Sequence, residues 1–163
     1  LPFISKNILN GDANDLALLI SFASIGSLIG SIIISVNNFS NTPGKFLIIF
    51  IFIWHILMLG TSLFTIKLII ICILILFGIS SSITMVNMSI LILSITDKNM
   101  IGRIIGIRQL AIFTLPVGLI LSGYMIDKTG IILSIQIMSV IGIIISIILS
   151  FKSKNLMSFT NTY

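Results

Sequence analysis

Few side chains in this sequence are able to do chemistry. The 163 residues include nine Lys or Arg, four Asp, no Glu, one His and one Cys. The four acids, Asp12, Asp15, Asp97 and Asp127, lie in or beside polar breaks, away from His55 and Cys72, so no metal-ligand spacing exists. A Ser-His-Asp set is assembled only by arbitrary choice, and neither a GxSxG elbow nor a phosphate-cradling glycine loop is present. These absences argue against an enzyme, a cofactor or a resident metal. The nine cations are spread along the chain without a basic stripe interleaved with aromatics, which argues against nucleic acid as a partner.

The remaining polar groups sit inside apolar stretches, where their chemistry is hydrogen bonding. At 100° per residue, Ser80, Thr84, Asn87 and Ser94 fall within about 80° of one another and form a stripe on one helix face. A carboxamide facing lipid leaves hydrogen-bonding sites unmet, so Asn87 is expected to face another helix or an aqueous cavity, while Ser and Thr have their own helix backbone as an alternative partner. His55, beside Trp54, is read either as a proton relay or as a packing and interhelical bonding residue, and Gln136 likewise. Arg103 suits an interfacial anchor that snorkels to the headgroups. Arg108 lies about 7.5 Å deeper at 1.5 Å per residue, and is expected near the boundary or paired, with Asp97 the nearest acid in sequence. Gly26 and Gly30 form a GxxxG element, flanked by Ala23, Ser27, Ser31 and Ser35 at four-residue spacing, which lets a second helix backbone approach closely. Pro116 removes a backbone donor and kinks a helix; Gly118, Ser122 and Gly123 beside it let neighbours fill in.

Five apolar stretches carry these groups: residues 16–36, 46–64, 68–95, 104–126 and 131–151. Each is close to the roughly 20 residues that span a 30 Å hydrocarbon layer as a helix. The chain is 57% hydrophobic and only 8% charged, with a mean hydropathy of +1.27, which leaves too little polar surface for a water-soluble globule. Unbroken runs of this length exceed strands of about 3 to 10 residues, and the alternation of a transmembrane barrel is missing. The expected fold class is therefore an all-α membrane protein whose solvent and first partner is the lipid bilayer.

The breaks, at 37–45, 65–67, 96–103 and 127–130, leave no room for a soluble domain. Residues 1–15 read as the end of a preceding helix and an outer loop, and 152–163 as a tail. The chain starts at Leu1 without an initiator Met, inside an apolar piece, and is expected to belong to something longer. Lys6, Lys67 and Lys128 lie on one membrane face, against Lys45, Lys98, Arg103, Lys152 and Lys154 on the other. This bias places the C-terminus in the cytoplasm. Cys72 lies in an apolar run and has no second Cys to pair with; Asn38-Phe39-Ser40 fits a glycosylation sequon that arises often by chance.

In their order and spacing these elements resemble the C-terminal half of a major facilitator superfamily transporter, in particular its drug and macrolide or siderophore exporter branch. Four stretches carry the likeness. Leu1-Pro2-Phe3-Ile4 with Gly11 resembles the end of helix seven, and Ser24 to Ser31 resembles helix eight. Asp97 to Arg103, on to Arg108-Gln109, resembles the loop between helices ten and eleven; Pro116-Val117-Gly118 through Gly123 to Gly130 resembles helix eleven and its exit. Thr96 stands where that loop usually has Pro, and Ile101 where its Arg-Gly-Arg element has the first Arg.

The resemblance implies that the five spans are helices 8–12 of a twelve-helix fold and that their main partner is a missing N-terminal bundle. It implies alternating access, with a small, amphipathic substrate exported across the cell membrane. It makes Ser80, Thr84, Asn87 and Gln109 the candidates for the substrate cavity, and Asp97, Gly102 and Arg103 those for the cytoplasmic gate. Gly26, Gly30, Pro116, Gly118 and Gly123 are the candidates for helix packing. Proton coupling is a family expectation, and no membrane carboxylate is present to carry it. A rival reading from another class is a small non-transporting membrane protein, such as an assembly subunit or the remnant of a disrupted gene.

Overall fold

Lipid offers a peptide group no hydrogen-bonding partner, so an apolar segment must satisfy its own N–H and C=O groups, and a helix does this within one segment. A computed structural model describes Ser5 and residues 11–36 and 42–152. Leu1-Pro2-Phe3-Ile4, the sequon Asn38-Phe39-Ser40 and the tail beyond Lys152 lie outside the described residues. The elements are α1 (Ala13–Val36), α2 (Pro43–Leu63), α3 (Lys67–Ile95), a single 3-10 turn (Lys98–Met100), α4 (Ile101–Ile112), α5 (Leu115–Thr129) and α6 (Ile131–Lys152). With α4 and α5 taken as one interrupted span, five helical segments are long and apolar enough to cross a membrane, and the described residues contain no strand.

Local sequence sets the ends. The Asp12 carboxylate accepts from the backbone N–H groups of Asn14 and Asp15 at 2.9 and 3.1 Å, which caps α1. Pro43 opens α2, where a missing N–H costs nothing. The break expected at 127–130 is shorter than predicted, because Asp127, Lys128 and Thr129 all belong to α5 and Gly130 alone links it to α6. Gly130 has φ 78° and ψ 164°, a region essentially closed to side chains with a Cβ, and its N–H bonds the Ile126 carbonyl at 2.9 Å. Ser134 closes the corner by donating to the Gly130 carbonyl at 2.7 Å.

The fourth span is interrupted at Phe113 and Thr114. Pro116 has no N–H to give the Ile112 carbonyl, and its ring crowds that group. The chain answers by tightening: Phe113, Thr114 and Val117 N–H groups reach the carbonyls three residues back at 3.0, 3.3 and 3.0 Å, and the Thr114 hydroxyl bonds Ala111 O at 2.6 Å.

Packing centres on α3, which lies between α1 and α2; α6 lies on α2, and α5 touches α6 near their shared corner. The α1–α3 contact is made by backbone. A Cβ on Gly26 would overlap the Ile75 carbonyl, one on Gly30 would stand 2.7 Å from the Ile79 carbonyl, and one on Gly78 would stand 2.8 Å from the Ser27 nitrogen. The Ser27 hydroxyl donates across the interface to Gly78 O at 3.3 Å. The register, Gly26 at Ile75 and Gly30 at Ile79, makes the two helices parallel, and the Asp15 carboxylate pairs with the Lys67 ammonium where both begin. One end of this seam is sealed by Leu19, Ile70 and Leu74, with Ala23, Ile71 and Ile135 against them.

Elsewhere the distribution is inverted relative to a soluble protein. Thr61, Ser62, Ser80, Asn87, Ser134, Ser139 and Ser146 are buried, whereas Leu28, Leu68, Ile120 and Phe151 are 61 to 74% exposed. In hydrocarbon, large apolar side chains gain nothing by turning inward, and small ones allow close approach. Gly118 and Gly123 make no packing contact of this kind: a Cβ at either would meet nothing within 4 Å among the described residues.

Replacing Gly78 by Leu is expected to destabilise the folded bundle by at least about 1–3 kcal/mol, since a backbone cannot yield as a side chain does. Replacing Gly118 by Leu, in open space, should change stability by less than about 0.5 kcal/mol. Thermal unfolding in detergent, followed by circular dichroism, compares the two.

Candidate functional site

The third helix carries most of the polar groups singled out from sequence, and the structure places them inside the bundle. Asn87 is 0% exposed and Ser80 3%; Thr84 and Ser94 are half-buried. Their hydrogen bonds stay local: Thr84 donates to Ser80 O at 2.8 Å, Ser94 to Leu91 O at 2.9 Å, and the Asn87 amide nitrogen to Ile83 O at 2.9 Å. Backbone carbonyls of the same helix are the nearest acceptors where water is excluded. The Asn87 side-chain oxygen is left buried without a partner among the described residues. Gln109 is exposed on α4, on a different helix from the other three cavity candidates.

Between α3 and α4 lies an open groove of about 430 Å³, bounded by Met85, Met88 and Ile92 on one side and Ile104, Ile107 and Arg108 on the other. Its size falls in the range of small-molecule sites, roughly 300–1,000 Å³. Arg108 is its cation. Arg108 is paired, but not with Asp97, the nearest acid in sequence: its Nη1 donates to the Ser89 hydroxyl at 3.0 Å, and Nη2 lies 4.0 Å from the Met85 sulfur. A side chain on the first turns of α4 reaches the neighbouring helix more readily than it folds back over the 3-10 turn to Asp97. Ser89 in turn donates to Met85 O at 2.9 Å, so a short chain of hydrogen bonds fixes the guanidinium against α3. Among the described residues the one ion pair is Lys67–Asp15, and Arg108 has no carboxylate partner. Apolar walls with adaptable Met side chains and one positive charge suit a greasy molecule bearing an anionic or electron-rich group.

The remaining candidates do not line this groove. Asp97, Gly102 and Arg103 are exposed at the 3-10 turn and the start of α4, with open space at Gly102. His55 Nδ1 bonds Ile51 O at 2.8 Å on its own helix, and Gln136 is half-buried on α6. No group of three His, Cys, Asp or Glu able to hold a metal ion occurs among the described residues. Met85, Met88 and Ile92 were not singled out from sequence; an i, i+3, i+7 apolar row is ordinary in a membrane helix, and its spacing does not tell a groove from a lipid-facing surface. Comparison with family models, with curated proteins and with solved structures finds no match to this chain.

Substituting Arg108 by Leu removes the hydrogen-bonded tie between α4 and α3. Such bonds in membranes are worth about 0.6–1.7 kcal/mol, so cross-linking between cysteines placed at Ile92 and Ile104 should fall several-fold, and Arg108→Lys should recover part of it. Both lie on a Cys72→Ser background.

Proposed function

We propose that this chain is part of a secondary active transporter of the two-bundle kind, in which α1 to α6 correspond to helices eight to twelve and a further set of helices forms the opposing bundle. The transporter moves a small amphipathic molecule across the cell membrane by alternating access. The groove between α3 and α4 contributes one wall of the substrate path, with Arg108 as its polar anchor. Asp97, Gly102 and Arg103 act at the cytoplasmic gate.

The observation that carries this reading is the fourth span. It is the least apolar of the five, and yet the only one in which no residue is buried. A helix bearing Arg103, Arg108, Gln109, Thr114 and Ser122 is a poor surface to leave entirely to lipid. Its interruption at Phe113–Thr114 also suits a segment facing other protein or a water-filled path, where freed carbonyls find partners. An opposing bundle seated on this face covers the polar groups and closes the groove. The four-part resemblance in order and spacing supports the same arrangement.

Proteoliposomes test the mechanism. Loaded with an amphipathic dye, they should release it when the chain is reconstituted together with the helices encoded immediately upstream. Release by the chain alone, or none by the pair, overturns the reading. The proposed orientation, C-terminus in the cytoplasm, follows from the Lys and Arg bias. On a Cys72→Ser background, an impermeant maleimide applied to intact cells should label Lys128→Cys, and should label Lys98→Cys only after permeabilisation.

A further inference from the structure

A second cavity, of about 190 Å³, lies among α2, α3 and α6 and is lined by Trp54, His55, Met58, Phe77, Met138 and Ser139. Two of these side chains bring buried polar atoms that find no partner among the described residues: the Trp54 indole nitrogen and the Ser139 hydroxyl. Ser139 is only 1% exposed. Its neighbours on α6 behave differently, since Ser134 donates to Gly130 O at 2.7 Å and Ser146 to Gly142 O at 2.8 Å. The indole N–H is a donor only. His55 supplies the complementary group. Its Nδ1, 2.8 Å from Ile51 O, must carry the proton of that bond, which leaves Nε2 of the neutral ring as an acceptor. The ring is seated where Gly142 lacks a side chain, with a Cβ there standing 2.8 Å from His55 Cγ and overlapping its far edge. Trp54 packs against Phe77 and His55 with ring centroids 5.5 and 5.2 Å apart, which gives the cavity an aromatic wall.

We propose that this cavity binds a neutral, single-ring molecule carrying one hydroxyl group, entering from the hydrocarbon. An engineered apolar cavity of about 150 Å³ in another protein holds benzene, so 190 Å³ admits a six-membered ring with a substituent oxygen. A hydroxyl oxygen accepts from Trp54 Nε1–H and from the Ser139 hydroxyl, and its own hydrogen goes to His55 Nε2. The ligand is neutral because no Lys, Arg, Asp or Glu lines the cavity, which sits midway along α2. The site is independent of the transport reading, as it shares no residue with the groove beside Arg108.

Trp54 is the only tryptophan, so its emission and its single indole N–H resonance both report on this cavity. The full chain in detergent is titrated with cyclohexanol and, as a ring of similar bulk without oxygen, methylcyclohexane. Cyclohexanol should shift the emission saturably, and Ser139→Ala should weaken its binding roughly fivefold. Ser122→Ala, whose hydroxyl bonds its own helix on α5, should leave it unchanged. In the unsubstituted protein the indole N–H resonance should move to saturation with cyclohexanol and not with methylcyclohexane. A non-saturating response to both compounds, equal binding by Ser139→Ala, or an indole resonance unmoved by cyclohexanol because water alone fills the cavity, overturns the proposal.

Discussion

The close approach of α1 and α3 is the contact on which the rest of the bundle depends. Lipid tails are as apolar as leucine, so no hydrophobic force drives two helices together in the membrane, and association rests on how near their backbones come. Gly26, Gly30 and Gly78 remove three side chains from one seam and let carbonyl and amide groups of facing helices touch. With α3 fixed on α1, its opposite side is free to hold α2, and α2 in turn holds α6. The Asp15–Lys67 pair at the mouth of the seam keeps the two helix starts level.

The fourth span stands apart from this order. Pro116 breaks its hydrogen-bond ladder, the corner at Gly130 holds one end to α6, and Arg108 ties the other to α3 through Ser89. Between those ties none of its residues is buried. The groove beside Arg108 exists because α4 is held at arm's length by a long cationic side chain and not drawn in by glycine contacts. Gly102, Gly106, Gly118 and Gly123 on this span all face open space.

Most hydroxyls inside the bundle follow one rule. Hydroxyls bond carbonyls of their own helix, one turn back, as at Thr84, Ser94, Ser122 and Ser146. Ser27 instead crosses to the Gly78 carbonyl, and among the described residues the Asn87 oxygen, the Trp54 indole nitrogen and the Ser139 hydroxyl are buried without a partner. Two of the three border the same cavity, and buried donors without acceptors are costly enough to mark it as built for an oxygen.

The five spans, their helical state and the GxxxG surface on α1 were legible in the residues alone, because length, apolarity and backbone satisfaction in lipid leave a single solution for each segment. The interruption just ahead of Pro116 was legible for the same local reason. What faces what was not. That Gly78 answers Gly26 and Gly30, that Arg108 reaches Ser89 and not Asp97, and that Trp54 and Ser139 meet at one cavity all depend on register between helices far apart in sequence. A transmembrane helix is apolar nearly all round, so its pattern carries little information about its neighbours. Only the packing of one rod on another decides which small or polar side chain becomes a seam, a tie or a site.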